Sequence, residues 1–188
     1  MDPTAIIAIA ISFLSIVFIL ITQGPDQITK FRESADTVNR REKINSCLQK
    51  ELIEELQENK ENGIFDLEPD GIENREKIDD LEYFGFTIFV VNNISEDILN
   101  KIMQNAKNAL KRFIYFSFVV TLTLVIYIST DVTSIFNNFM LAVYAGFALV
   151  LGYMMYDSTR KYSNLKEDFI KLYEDPTIEN AREIYYKI

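Results

Sequence analysis

The sequence predicts a mainly α-helical membrane protein with three transmembrane helices, a helical cytoplasmic region and a two-helix C-terminal tail. Hydrophobic residues make up 48% of the 188 positions, yet the mean hydropathy is only +0.02, which suggests a chain divided between lipid and water. Three stretches carry no charged side chain: 3–25, 113–130 and 132–156. Each approaches the roughly 20 residues that an α-helix needs to cross a hydrocarbon core of ~30 Å.

The distribution of basic residues predicts the orientation of the chain. All nineteen Lys and Arg residues lie in 24–112 or 157–188. Because translocation disfavours these residues, both segments are expected in the cytoplasm of a multi-pass cell-membrane protein whose N-terminus is outside. The predicted segments are transmembrane helix 1 (1–23), a cytoplasmic amphipathic module (24–112), a transmembrane hairpin (113–156, outer loop near 131–137) and a cytoplasmic tail (157–188).

The first apolar segment has a cleaved signal peptide as its alternative. It lacks a basic start, and its apolar run of about 19 residues exceeds the 7 to 15 of a signal sequence. We therefore favour a transmembrane helix.

Small and hydroxyl side chains in the predicted spans indicate helix-packing faces, because they permit close approach and hydrogen bonding between helices in lipid. The candidate packing residues are Ala142, Ala145, Gly146, Ala148, Gly152, Ser117 and Thr121. Packing within one three-helix bundle is the first interpretation, and homo-oligomerisation is the second. Asp131, at the outer mouth, is either a solvated turn residue or part of a carboxylate ring that attracts cations.

The cytoplasmic module is expected to begin where Gly24 and Pro25 break the first helix. A second helix is predicted over 27–62 from the 3–4 spacing of its apolar residues, and Asn62-Gly63 provides its stop. The six-residue step from Val38 to Ile44 breaks the heptad phase, so two helices or an antiparallel hairpin partner fit better than an uninterrupted coiled coil. The β-branched and aromatic residues of 85–91 predict a short strand. Residues 64–67 would pair with this strand to form a two-stranded sheet.

A further helix is predicted to start at Ser95, whose hydroxyl is a good cap, and to continue into the second span without a break. Between these elements, 64–82 is acidic. Asp66, Glu68, Asp70 and Gly71 match the start of a calcium-binding EF-hand loop, but the twelfth position is Lys77 where a glutamate is needed. An ordinary acidic loop is the better interpretation.

The tail predicts two amphipathic helices, the second of which begins with Asp175 as its cap and Pro176 in its first turn. Their apolar stripes are candidate partner-binding residues: Tyr162, Leu165, Phe169, Leu172, Ile178 and Ile184. Packing on 24–112 of the same chain is the first interpretation, and docking of a separate protein is the second.

Several classes of chemistry are excluded by composition. The chain has no histidine and one cysteine, Cys47, so it has no imidazole base, catalytic Ser-His-Asp relay or cysteine cage for a metal. A net charge of -9 and a pI of about 4.6 oppose nucleic-acid binding. No pocket is indicated around the acidic residues, so we expect no enzyme, cofactor or metal site.

These observations predict a non-catalytic integral membrane scaffold or accessory subunit that presents its cytoplasmic helices to partners. The expected partners are the lipid bilayer and either another protein or further copies of the chain. The alternative is a small homo-oligomeric ion channel or membrane-permeabilising effector with Asp131 at its outer mouth. In topology alone, one span, a cytoplasmic helical region and a two-span hairpin resemble the membrane-protein insertases, which implies insertion activity as a third hypothesis.

Overall fold

The computed structural model describes residues 3–61, 74–129 and 135–188, and it forms five α-helices there. The helices are α1 Pro3–Glu33, α2 Ala35–Glu61, α3 Asn74–Ser129, α4 Ile135–Glu174 and α5 Ile178–Lys187. These described ranges contain no strand. The predicted mainly α class is therefore confirmed, whereas the predicted strand at 85–91 is wrong, because these residues lie within α3.

Tertiary packing explains why the β-like residues of α3 are helical. Phe84, Thr87, Val91 and Ile94 are buried, and their spacing of three and four residues places them on one helical face. A β-branched residue costs at most about 0.7 kcal/mol relative to alanine in a helix. Burying one large apolar side chain contributes about 1.5–3 kcal/mol, so burial outweighs local propensity. Residues 64–67, the predicted pairing strand, lie outside the described residues.

Ser95 does not start a helix, as the sequence predicted, because α3 already runs through it. Its buried hydroxyl donates instead to Asn45 Oδ1 of α2 at 2.6 Å. The prediction that this helix continues without a break into the second apolar segment is confirmed, since α3 extends to Ser129.

The predicted helix break at Gly24-Pro25 is also wrong, because α1 continues through both residues to Glu33. The chain bends at Ser34, whose Oγ accepts a hydrogen bond from the Thr37 amide at 3.3 Å. This side chain satisfies a free amide in the first turn of α2 and thereby caps that helix. The helix that the sequence placed over 27–62 is thus divided between α1 and α2.

The tail begins as part of a longer helix. α4 joins the third apolar segment to the first predicted tail helix, and only α5 is separate. Thr177, rather than Asp175, caps α5, with its Oγ1 accepting from the Asn180 amide at 3.3 Å. Pro176 precedes this cap instead of occupying the first helical turn.

The chain forms two compact units, which we describe separately. The apolar unit comprises Met1–Phe31 and Ile102–Ser163, and the acidic unit comprises Arg32–Lys101 and Asn164–Ile188.

Two helices among the described residues are long and apolar enough to cross a membrane: Leu81–Val125 of α3 and Phe139–Glu174 of α4. Only 6% of the most apolar stretch of the first is buried, and none of the second, unlike the core helix of a soluble protein. These helices suggest a membrane location. The sequence predicted three spans; the first, 1–23, lies in α1, where most side chains are outside the described residues, and it stays a prediction.

Close helix packing orders the apolar unit. A Cβ added at Gly24 would lie 2.5 Å from Leu110 Cδ2, so the missing side chain lets α1 approach α3. Arg112 Nη1 donates to the Met154 carbonyl at 2.6 Å and to the Ser158 hydroxyl, which joins α3 to α4.

The acidic unit has an apolar core built from four helices. α2 contributes Ile44, Leu48 and Leu52, and the first part of α3 contributes the face described above together with Ile98 and Leu99. The end of α4 and the whole of α5 complete the core with Phe169, Leu172, Ile178, Ala181 and Ile184. Four of the apolar residues predicted for the tail, Phe169, Leu172, Ile178 and Ile184, therefore pack within this unit.

Candidate functional site

The most distinctive surface of the acidic unit lies where α2, α3 and α5 meet. α5 is held against α2 at its N-terminus, where Glu51 Oε2 accepts from the Ile178 amide at 2.9 Å. A carboxylate at this end of a helix is favoured by the positive end of the helix dipole. Because Ile178, Ala181 and Ile184 face the core, α5 turns Arg182, Tyr185 and Tyr186 toward α3 or solvent.

Aromatic rings form a continuous cluster on this surface. The Phe86 ring lies 5.6 Å from that of Tyr185, edge to face, and 5.5 Å from that of Tyr186, stacked. The Phe89 ring lies 5.9 Å from that of Tyr185. Tyr83 belongs to the same face of α3, and we call the five residues Tyr83, Phe86, Phe89, Tyr185 and Tyr186 the aromatic patch.

The aromatic patch is open to solvent in part. Tyr83 is 47% exposed, Phe89 is 49% exposed and Tyr186 is 73% exposed. A contiguous group of exposed aromatic residues is characteristic of an interaction site, since isolated exposed apolar residues are ordinary but clustered ones are uncommon. Tyrosine and arginine are also the residue types enriched at the centres of protein interfaces.

Arg182 connects the aromatic patch to a neighbouring cleft. Its guanidinium carbon lies 3.7 Å from the centre of the Tyr83 ring and 5.8 Å from that of Phe86. These are cation–π contacts, in which the ring faces attract the positive charge. The stacking fixes the position of Arg182 beside the carboxylates of α2.

The cleft, of about 490 Å³, has the size of a ligand site. Its lining consists of Glu51, Glu55, Tyr83, Ile178, Glu179, Arg182 and Tyr186, and we call it the acidic cleft. Two members, Tyr83 and Tyr186, also belong to the aromatic patch, so the two surfaces adjoin.

The electrostatics of the acidic cleft favour a cation. Burial raises the pKa of the Glu55 carboxyl, and the negative charges of Glu51 and then Glu58 raise it further, while Arg182 acts in the opposite direction. Glu55 Oε2 is buried and accepts no hydrogen bond from the described residues. The cleft therefore holds negative charge that the single arginine compensates only in part.

A separate ion cluster of the acidic unit has a structural role. Glu96 of α3 accepts from Arg32 through Oε1 and from Arg41 through Oε2, the latter at 2.9 Å. Arg40 and Lys43 of α2 lie over the Tyr173 ring at 5.1 Å and 4.2 Å from its centre. These contacts join the end of α1 and α2 to α3, and α2 to the end of α4.

The structure separates the predicted helix-packing residues into two groups. Ser117 and Thr121 of α3 are buried, and Gly152 of α4 faces α3, since an added Cβ would lie 3.7 Å from Phe116 Cε2. The remaining small residues of α4 are exposed or half-buried: Ala142, Ala145, Gly146 and Ala148. Asp131, the candidate pore-mouth residue, lies outside the described residues, as do 66–71 of the partial calcium-loop match.

The predicted partner-binding residues of the tail are mostly occupied by the chain itself. Phe169, Leu172, Ile178 and Ile184 are buried in the acidic unit, and Leu165 is half-buried. Tyr162 belongs to the apolar unit, where it lines a groove of about 170 Å³ with Phe31, Ile102 and Met103 among others. Their placement favours the interpretation that the stripes pack within the chain.

The aromatic patch was not identified from the sequence. Tyr83, Phe86 and Phe89 stand three residues apart, which would have indicated one helical face, but the sequence had assigned most of this segment to a strand. Within the described residues no group of three Cys, Asp or Glu side chains is arranged to hold a metal ion. No known protein family, curated protein or solved structure matches the chain.

Proposed function

We propose that the protein is a non-catalytic membrane scaffold or accessory subunit that presents the acidic unit to partner proteins. The aromatic patch carries this proposal. It is a cluster of exposed aromatic side chains on the acidic unit, whose composition is charged, unlike that of a segment embedded in lipid. Three spans, with the acidic unit in the cytoplasm and the N-terminus outside, are part of the proposal. They are supported by the two candidate spans and by the positions of the basic residues.

The proposal is tested by purifying the full chain from its own membranes in mild detergent, as wild type and as Phe89→Ser/Tyr186→Ser. We expect the wild type to retain another protein in fixed ratio and the double variant to lose it, because both side chains are exposed and removing them leaves the core intact. Tyr153→Ser is the matched control, since Tyr153 is 72% exposed in α4 of the apolar unit.

Two outcomes would contradict the scaffold proposal. Retention of a partner by the double variant would show that the aromatic patch is not the docking surface. A pure homo-oligomer that carries ion flux in liposomes would favour the channel hypothesis, for which Asp131→Asn should change cation selectivity.

A further inference from the structure

We propose that the aromatic patch and the acidic cleft together bind a basic amphipathic segment of a partner protein. Its apolar side chains would pack on the patch, and a lysine or arginine would enter the cleft. This inference rests on the proposed scaffold function and specifies the chemistry of the partner.

Geometry places the two halves of this surface within reach of one ligand. Tyr83 and Tyr186 line the cleft and belong to the aromatic patch, so a segment lying on the rings would extend past them to the carboxylates. A helix presents apolar and charged residues one turn apart, which fits a surface made of one apolar and one charged half.

Charge identifies the sign of the partner. The cleft is lined by three carboxylates, Glu51, Glu55 and Glu179, against one cation, Arg182. Lys187 does not compensate them, because its Nζ is paired with Glu183 Oε1 at 2.6 Å. The whole acidic unit has thirteen Lys and Arg residues and twenty-four Asp and Glu residues, a difference of -11, which attracts basic partners over a longer range.

Glu55 supplies the reason for a cation to enter the cleft rather than remain on its rim. Its carboxyl is crowded by Glu51 and Glu58 and has a buried oxygen that accepts no hydrogen bond from the described residues. An ammonium or guanidinium group in the cleft would offset the repulsion among these carboxylates.

The same charge disfavours other occupants of this surface. An anionic lipid surface or a nucleic acid would be repelled by the acidic unit. A second copy of the chain would bring its own acidic cleft against this one, so like charges would oppose self-association through this face.

The experiment uses the full chain in phosphatidylcholine nanodiscs, whose zwitterionic lipid does not itself attract basic peptides. The probes are two fluorescent 16-residue helical peptides with the same apolar residues, one with lysines and the other with glutamates at the same four positions. Binding is measured by fluorescence anisotropy at 50 and 300 mM NaCl. We expect the lysine peptide to bind, more weakly at the higher salt concentration, and the glutamate peptide not to bind.

Variants separate the cleft from the general charge of the unit. Glu51→Gln/Glu55→Gln should raise the Kd of the lysine peptide at least tenfold, and the side-chain amide introduced at position 51 would keep an oxygen that accepts from the Ile178 amide. Glu54→Gln, on the exposed side of the same helix, removes a charge outside the cleft and should change the Kd less than twofold. Tyr186→Ser, at a 73% exposed site, should also raise the Kd without affecting folding.

Equal binding of the two peptides, no binding of either, or equal weakening by Glu54→Gln and the cleft variant would overturn the inference. If the fixed-ratio partner is still lost in Phe89→Ser/Tyr186→Ser, the scaffold function stands and only the partner chemistry is wrong. If that partner is retained as well, both proposals fail.

Discussion

Glu55 and Glu183 show how the local environment sets the charge of single residues in the acidic unit. Burial, followed by the charge of Glu51, raises the pKa of Glu55 above its ordinary value of 4.5. Hydrogen bonds from Lys187 and then Lys171 lower the pKa of the exposed Glu183 below the same value. The two side chains therefore couple folding to pH with opposite signs. The lowered pKa of Glu183 contributes stability that is present above pH 4.5 and is lost as the pH falls. The raised pKa of Glu55 contributes stability that is present below pH 4.5 and is lost as the pH rises.

Glu55→Gln should stabilise the protein at neutral pH. A raised pKa means that the folded state binds the proton more tightly, so this stabilisation is full below pH 4.5 and is lost as the pH rises through the folded-state pKa. Gln stays neutral throughout, so the variant should have the higher urea midpoint at pH 7 and the same midpoint near pH 4. The measurement is urea unfolding of the full chain in detergent from pH 4 to 7.

The control for this prediction is Glu54→Gln, whose side chain is 65% exposed and paired with Lys50. The difference in urea midpoint between Glu54→Gln and the wild type should not grow with pH, whereas the difference between Glu55→Gln and the wild type should. Equal urea midpoints of Glu55→Gln and the wild type at pH 7 would show that the cleft does not disfavour the charged form.

Residue pairings of this kind could not be predicted from the sequence. Glu96 binds Arg32 and Arg41, which are 64 and 55 positions away along the chain. Composition shows that acids and bases are present, but tertiary packing decides which of them meet.

At the scale of elements, apolar periodicity predicted the helices whose faces are buried. The spacing of Ile44, Leu48 and Leu52 predicted the core face of α2, and that of Ile178 and Ile184 predicted α5; both sets are buried. Prediction failed where local propensity and long-range packing disagree. The β-branched residues of 85–91 favour a strand locally, yet the packing of α3 against other helices makes them helical.

The ends of helices show the same limit. Gly24 and Pro25 are local helix breakers, yet α1 continues through both, and the missing side chain of Gly24 leaves room for Leu110. The bend lies instead at Ser34, whose hydroxyl accepts from the Thr37 amide in the first turn of α2.

Gly24→Leu should destabilise the apolar unit, because its Cβ would meet the Leu110 side chain at 2.5 Å and the added carbons would have no space. Overpacking of this kind costs about 1–3 kcal/mol. Leu110→Ala in the same chain should restore part of the loss by creating room. The measurement is thermal unfolding of both single variants and the double variant in nanodiscs, compared as a double-mutant cycle.

The sign of the coupling decides this prediction. We expect the double variant to be more stable than the sum of the two single changes implies. Simple additivity would mean that α1 and α3 do not approach each other at Gly24.

At the scale of the whole molecule, charge is divided sharply between the units. The apolar unit has six basic and four acidic residues, whereas the acidic unit has thirteen and twenty-four. The sequence revealed the apolar segments and the acidic excess, but not the interaction surface. That surface required α5 to lie beside α3, and no local pattern indicates which of the distant helices become neighbours.

The proposed topology predicts which positions a membrane-impermeant maleimide can reach in intact cells. All Lys and Arg residues lie in 24–112 or 157–188, and their cost of translocation should keep both segments in the cytoplasm. In a Cys47→Ser chain, which has no other cysteine, we expect Asp2→Cys and Thr133→Cys to be labelled without permeabilisation. Asn39→Cys, at an exposed position of α2, should be labelled only after the membrane is opened. Labelling of Asn39→Cys in intact cells would place the acidic unit outside. Labelling of Asp2→Cys only after permeabilisation would remove the first span from the proposal, because an even number of crossings would then separate the two termini.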